Sequence, residues 1–407
     1  MRTERLSAAA AGSALAAALA AALAAVLTAC GASSSTSPAS PASPASPASS
    51  TSSTPISFTD ASCGGHWHLA RPGWHTFEIR NEAINGAEVD LTNPANGAVY
   101  DELQNIGPGT TAPMTVDLGS GKYAFLCEVE DFDPVTGPTT TIAGHQAGTP
   151  AILPITYNDL YPLAKEYAAY TEAGLKVLAG ETTTLAAQVR RGDLAAAKRE
   201  WLTAHLKYET LGAAYDAFGS YDDEIDGRAD AVGITSPRWT GFYRLEYGLW
   251  HGQPTRELTA VADTLNTDVH KLLTWWPSQQ VPLIDIGLRT HEILENALEF
   301  QLTGHDDYGS GTTLATTLAN IAGTRYLLAL LRPLLAPRYP QLSRVYAGLS
   351  QLQSLIEKEQ RPGGGWIAVS RLPTAAHQQI DAACDEVLQY LAPIASIAEP
   401  RNTAREF

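Results

Sequence analysis

Residues 239–250 read WTGFYRLEYGLW, and the period of this stretch decides the fold. Wound as a helix, it gathers Phe242, Leu245, Leu249 and Trp250 into one apolar stripe, the pattern of a helix packed inside a bundle. Pro237 sits just upstream, where a helix start accepts proline. Tyr243 and Glu246 are three residues apart and leave the helix on the same face, which makes them a candidate metal-ligand pair. A carboxylate beside such a stripe is costly to bury unless it meets a cation or a donor. Glu246 therefore takes either a metal ion or an Arg or Tyr partner.

Working outward, the helical period continues on both sides. Leu160, Leu163, Ala164 and Tyr167 open a first helix near Tyr157, and a second spans 194–218 behind Asp193 as its cap. Further helices are expected over 255–275, 281–302, 311–335, 339–360 and 373–398, with one long acidic loop over 221–236. Residues 149–407 thus read as an all-α bundle of more than one four-helix layer. Within it, His205 and Glu209 are four apart, as are His291 and Glu295, and Glu292, Glu295 and Glu299 form a row. Helical bundles bind metals through inward Glu and His at these spacings. The same pairs also serve as solvated faces or salt bridges. Asp222, Asp223, Glu224 and Asp226 add acid between these segments.

Upstream the period changes to two. Segments 75–80, 87–91 and 122–127 alternate, with turns at Pro72-Gly73, Pro108-Gly109 and 119–121 between them. Residues 56–148 therefore read as a small all-β Greek-key sandwich. Further upstream, residues 1–30 have a basic start, a long Ala/Leu run and the sequence Leu-Thr-Ala-Cys, ending at Cys30. That is a secretory signal, and its end resembles a lipobox in which Cys30 becomes the lipidated first residue. Residues 31–55 repeat Ser, Pro and Ala and form an extended tether. Export places the folded part at the cell surface or in the periplasm, anchored to the membrane. In that oxidising compartment a Cys63–Cys127 disulfide is the default and Cys384 is a buried free thiol. With 27 Lys plus Arg against 43 Asp plus Glu, the formal charge is -16, which disfavours nucleic acid and favours cations.

The strand carrying Gly121, Tyr123, Phe125 and Cys127 resembles the metal-end strand of a cupredoxin domain. No His or Met follows Cys127 within the next six residues, as a blue-copper site would require. Three readings stay open for this domain: a structural role built on the disulfide, an acidic site near Glu128, Glu130, Asp131 and Asp133, or a site using His66 and His68. The order of this domain, then HLKYETLGAAYDAFG (205–219), TGFYRLEYGLW (240–250), RTHEILENALEFQLTG (289–304) and DYGSGTTLATTLANIAGTR (307–325), resembles the EfeO family of exported iron-uptake components with an imelysin-type helical domain.

The resemblance implies an iron-binding protein that passes its ion, in ferric form, to a membrane permease beside a haem-peroxidase-like partner. Copper is the alternative ion for the cupredoxin-like domain. The family's Gly-x-His-x-x-Glu motif falls on Gly241, Tyr243 and Glu246, so Tyr stands where the family has His. A phenolate suits ferric iron, and the change implies either sharper Fe(III) preference or a lost site. Glu246 carries over directly, with Glu209, Asp223 and Glu295 as acids in matching segments, and His205, His291, His66 and His68 as a second tier. No His-Glu-x-x-His occurs, so a zinc peptidase is not favoured, and any ferrous oxidation falls to the cupredoxin-like domain. The alternative function is a surface module for polysaccharide or protein ligands that kept the fold and lost the metal.

Overall fold

The computed structural model describes residues 53–401. Cys30, its signal and most of the tether lie outside the described residues.

Nine strands come first among the described residues: β1 (Thr54–Thr59), β2 (Ser62–Cys63), β3 (Gly73–Asn81), β4 (Ala87–Thr92), β5 (Val99–Ile106), β6 (Thr111–Leu118), β7 (Gly121–Val129), β8 (Val135–Thr136) and β9 (Thr140–Ile142). They form two sheets, one in the order β2-β1-β3-β6 and the other β5-β4-β7-β8, with β9 paired to β7. Alternation fills the space between them with Phe58, Phe77, Ile79, Val89, Leu91 and Phe125, all fully buried. A disulfide joins Cys63 on β2 to Cys127 on β7, tying one sheet to the other. While Val89 and Leu91 face the core, Glu88 and Asp90 alternate to the outer side of β4. There the Arg401 guanidinium, from beyond the last helix, pairs with Glu88, with Asp90 at 3.8 Å and with Glu102 on β5 at 2.7 Å.

The remaining chain is helical: α1 (Tyr157–Arg190), α2 (Leu194–Glu209), α3 (Tyr215–Phe218), α4 (Ser220–Asp226), α5 (Gly241–Trp250), α6 (Thr255–Trp275), α7 (Asp285–Asn296), α8 (Thr313–Leu335), α9 (Leu342–Glu357) and α10 (Thr374–Ile397). A Thr156–Asp159 capping box opens α1, and Asp193 caps α2 by accepting from the Ala196 N–H. Helix α1 packs on α2 and α6, α7 on α8 and α10, and α10 also on α9.

Four departures from the sequence reading shape the site. The helix expected over 194–218 ends at Glu209, and a 3-10 turn at Gly212–Ala214 follows. A Cβ at Gly212 would lie 3.1 Å from Ile293 on α7, so the turn packs close against that helix. The acidic stretch expected as loop contains α4, folded back toward the end of α2. Helix α5 starts at Gly241 rather than Pro237, because the backbone there runs at φ +85° against the Ile225 carbonyl, only 2.2 Å from where a Cβ would stand. Finally, α7 runs into a π-helical turn, Ala297–Gln301, an irregularity that re-aims the side chains after it.

Candidate metal centre

Helix α2 turns Trp201, His205 and Glu209 inward at four-residue spacing. The Trp201 indole N–H donates to the Phe242 carbonyl at 2.9 Å, and its ring stacks on the His205 imidazole at 4.9 Å, fixing the plane of that ring. His205 Nε2 then lies 3.0 Å from Glu209 Oε1 and 3.1 Å from Asp226 Oδ1 on α4. Ligand atoms of these three residues come within 4.8 Å of one another, a spacing that could hold an ion. One Nε2 proton cannot serve both carboxylates. Its hydrogen bond goes to Asp226, and Glu209 Oε1 has no donor. The other Glu209 oxygen accepts from Asn320 Nδ2 on α8 at 2.8 Å.

The triad borders a cavity of about 230 Å³, also lined by Tyr243, Arg228, Arg289, Gln301 and Asp306. Tyr243 is buried and its hydroxyl donates to Asp306 Oδ2 at 3.2 Å, an oxygen that also accepts from Gln301 Nε2 at 2.7 Å. Asp306 Oδ1, Gln301 Oε1 and Asn320 Oδ1 join Glu209 Oε1 as buried oxygens without a donor. Asp222 accepts from the Tyr208 hydroxyl at 2.6 Å and holds α4 to α2.

Electrostatics follow from packing so many acids into low dielectric. Burial raises Asp306 to about 6 against the pull of Arg228. Burial likewise raises Asp226, while at His205 burial pulls down and the Asp226 and Glu209 carboxylates outweigh it. Burial first, then the charges of Asp226, Asp306, Glu209 and Glu246, push the Tyr243 phenol well above its ordinary value, so it stands here as a neutral donor.

The expected ligands separate on this map. Glu209 and Tyr243 line the cavity, and His205 reaches it only through its contacts with Glu209 and Asp226. Glu246 is buried, but its Oε1 accepts from the Ser310 N–H at 2.8 Å, toward the loop before α8; Oε2 has no donor, and burial raises the group to about 7. Tyr243 and Glu246 thus leave one helix face and still turn to different partners. Asp223 is exposed at the cavity rim, one residue out of phase with the inward face of α4 that carries Asp222 and Asp226. Glu295 points outward with its side chain 57% exposed, 3.5 Å from His291, so that pair is a surface contact and not part of the centre. In the β domain, His66 and His68 are both exposed on either side of buried Trp67. Cys127 is consumed by the disulfide. Glu130, Asp131 and Asp133 are exposed, whereas Glu128 is half-buried, raised to about 7 by burial and by Glu88. Sequence reasoning passed over Asp306, Gln301 and Asn320. Only Asp226 carried a usable signal, its four-residue spacing from Asp222.

The imelysin (peptidase M75) family model matches residues 163–396, which include every residue of the cavity wall. The chain belongs to the imelysin family. Among curated relatives of this imelysin protein, the iron uptake system component EfeO of Yersinia pseudotuberculosis is 28% identical over 312 residues, covering 74% of this chain and 80% of its own. The Escherichia coli protein of the same name is 26% identical over 313 residues, covering 76% and 82%. A solved structure of a candidate iron-regulated protein A precursor from Parabacteroides distasonis covers 61% of this chain and 97% of its own, at 13% identity and a TM-score of 0.48. The chain is EfeO-like over about three quarters of its length.

Proposed function

We propose that the protein is the iron-holding component of an uptake system, exported and anchored through Cys30, and that it carries iron in the imelysin-domain cavity to a membrane permease. The observation that carries this reading is the set of buried, donorless oxygens lining one cavity, Glu209 Oε1, Asp306 Oδ1, Gln301 Oε1 and Asn320 Oδ1, together with the clustered ligand atoms of His205, Glu209 and Asp226. Buried acceptors without donors cost free energy, and a hard cation offsets that cost at all of them together. Hard oxygen donors with a single imidazole favour ferric over softer ions. A ferric ion also reverses the local pKa logic, so that Tyr243 can ligate as phenolate in place of its bond to Asp306. The curated relatives named iron uptake system component EfeO support the cargo.

In the β domain the disulfide favours a structural role, with copper as a cargo only if ligands other than Cys127 supply it. The test is ferric titration of the protein by calorimetry and visible absorption, alongside copper and zinc. One tight ferric site with a phenolate charge-transfer band supports the reading, and absence of ferric binding removes it.

A further inference from the structure

The unsatisfied atoms of the cavity wall fall into two chemical sets. The first is the four buried oxygens already described. The second consists of guanidinium N–H groups: Arg228 Nε and Arg289 Nε are both out of solvent contact and have no acceptor, and both residues line the same cavity. Arg228 lies over the Phe300 ring at 3.6 Å, with Nε 3.7 Å from Asp230 and 3.8 Å from Asp306 Oδ1, too far for hydrogen bonds. Arg289 is held from its terminal nitrogens by Asp216 and by Glu292 at 2.7 Å, which leaves Nε spare. Arg228 Nε and Asp306 Oδ1, one atom from each set, stand 3.8 Å apart, and the other atoms belong to residues of the same cavity lining.

A bare cation satisfies only the oxygens, and an anion only the guanidinium groups. The volume argues the same way. About 230 Å³ is several times the roughly 30 Å³ share of one water, so a lone ion leaves most of the cavity to other occupants. Resting on the iron-site reading above, we propose that the cavity takes iron together with a small oxyanion of the carbonate or oxalate class. The acids around Glu209 hold the ion, and Arg228 and Arg289 hold the free edge of the anion. Each spare Nε–H can donate one charge-assisted hydrogen bond to an anionic oxygen.

The experiment uses the full-length protein, ferric iron delivered from a hydroxamate carrier in carbonate-free buffer, and binding measured with and without added oxalate. Oxalate chelates free iron, so without a seat in the cavity it must weaken binding. The expected result is the opposite, a strengthening on the order of tenfold, as two charge-assisted hydrogen bonds supply. Arg228→Gln and Arg289→Gln should each lose the strengthening, whatever their iron affinity in oxalate-free buffer. If oxalate weakens binding to the unaltered protein, water fills the space beside the ion and the inference is overturned while the iron site stands. If no iron binds in either buffer, the iron site and this inference fall together. The arm with unaltered protein decides even if a variant does not fold.

Discussion

At the scale of single residues, the account separates acids that touch the cavity from acids that do not. Glu209→Gln keeps the shape and the Asn320 contact but removes the charge, and it should lower ferric affinity by roughly 10- to 100-fold. Glu295→Gln, on the exposed face, should leave the same titration unchanged. Tyr243→Phe should abolish the phenolate band while leaving the far-ultraviolet dichroism of the bundle intact; a band that survives places the phenolate elsewhere. The inward pair His205 and Glu209 was readable from four-residue spacing on an amphipathic helix. Among its partners only Asp226 carries a signal, its four-residue spacing from Asp222. Asp306 lies in an irregular turn after a π-helical segment, where no period exists to say which way a side chain faces. Asp223 and Asp226 looked alike until α4 was recognised as a helix, whose phase turns one outward and the other in.

At the scale of elements, the centre depends on α2 stopping at Glu209 and α4 folding back against it. Gly241 fixes the third member of that arrangement, since α5 begins there in a backbone region that disfavours side chains. Gly241→Ala would set a Cβ 2.2 Å from the Ile225 carbonyl, one residue before Asp226. It should cost about 1–3 kcal/mol by denaturant unfolding and weaken iron binding as well, because α4 must shift. Unchanged binding in that variant would mean α4 does not set the site. The apolar stripe of residues 239–250 predicted the helix correctly but misplaced its start, because proline preference is local and the true start is set by tertiary contact with α4. In the sandwich, period-two patterning showed the strands, and Cys63→Ser should lower the stability of that domain by about 2–5 kcal/mol.

At the scale of the whole molecule, the β domain and the helical domain meet where Arg401 sits among Glu88, Asp90 and Glu102. Burial, then Glu88, raises Asp90 to about 8 in spite of Arg401. A carboxyl whose folded value lies above its ordinary 3.8 binds protons more tightly when folded, so its contribution is full below that value and is lost as pH rises toward 8. Unfolding of the β domain should therefore require less denaturant near pH 8 than near pH 4, and Asp90→Asn should flatten the difference; a profile that rises with pH would contradict the burial argument. None of this junction was visible in the sequence, because an arginine near the end of the chain and acids some three hundred residues earlier share no pattern. On the proposed function, one chain carries one iron in the imelysin cavity. The most direct test counts ferric iron bound per chain in the unaltered protein and in the Glu209→Gln, Asp226→Asn double variant. The unaltered protein should hold one ion tightly and the double variant should lose it; a full complement of iron in that variant would place the ion outside this cavity.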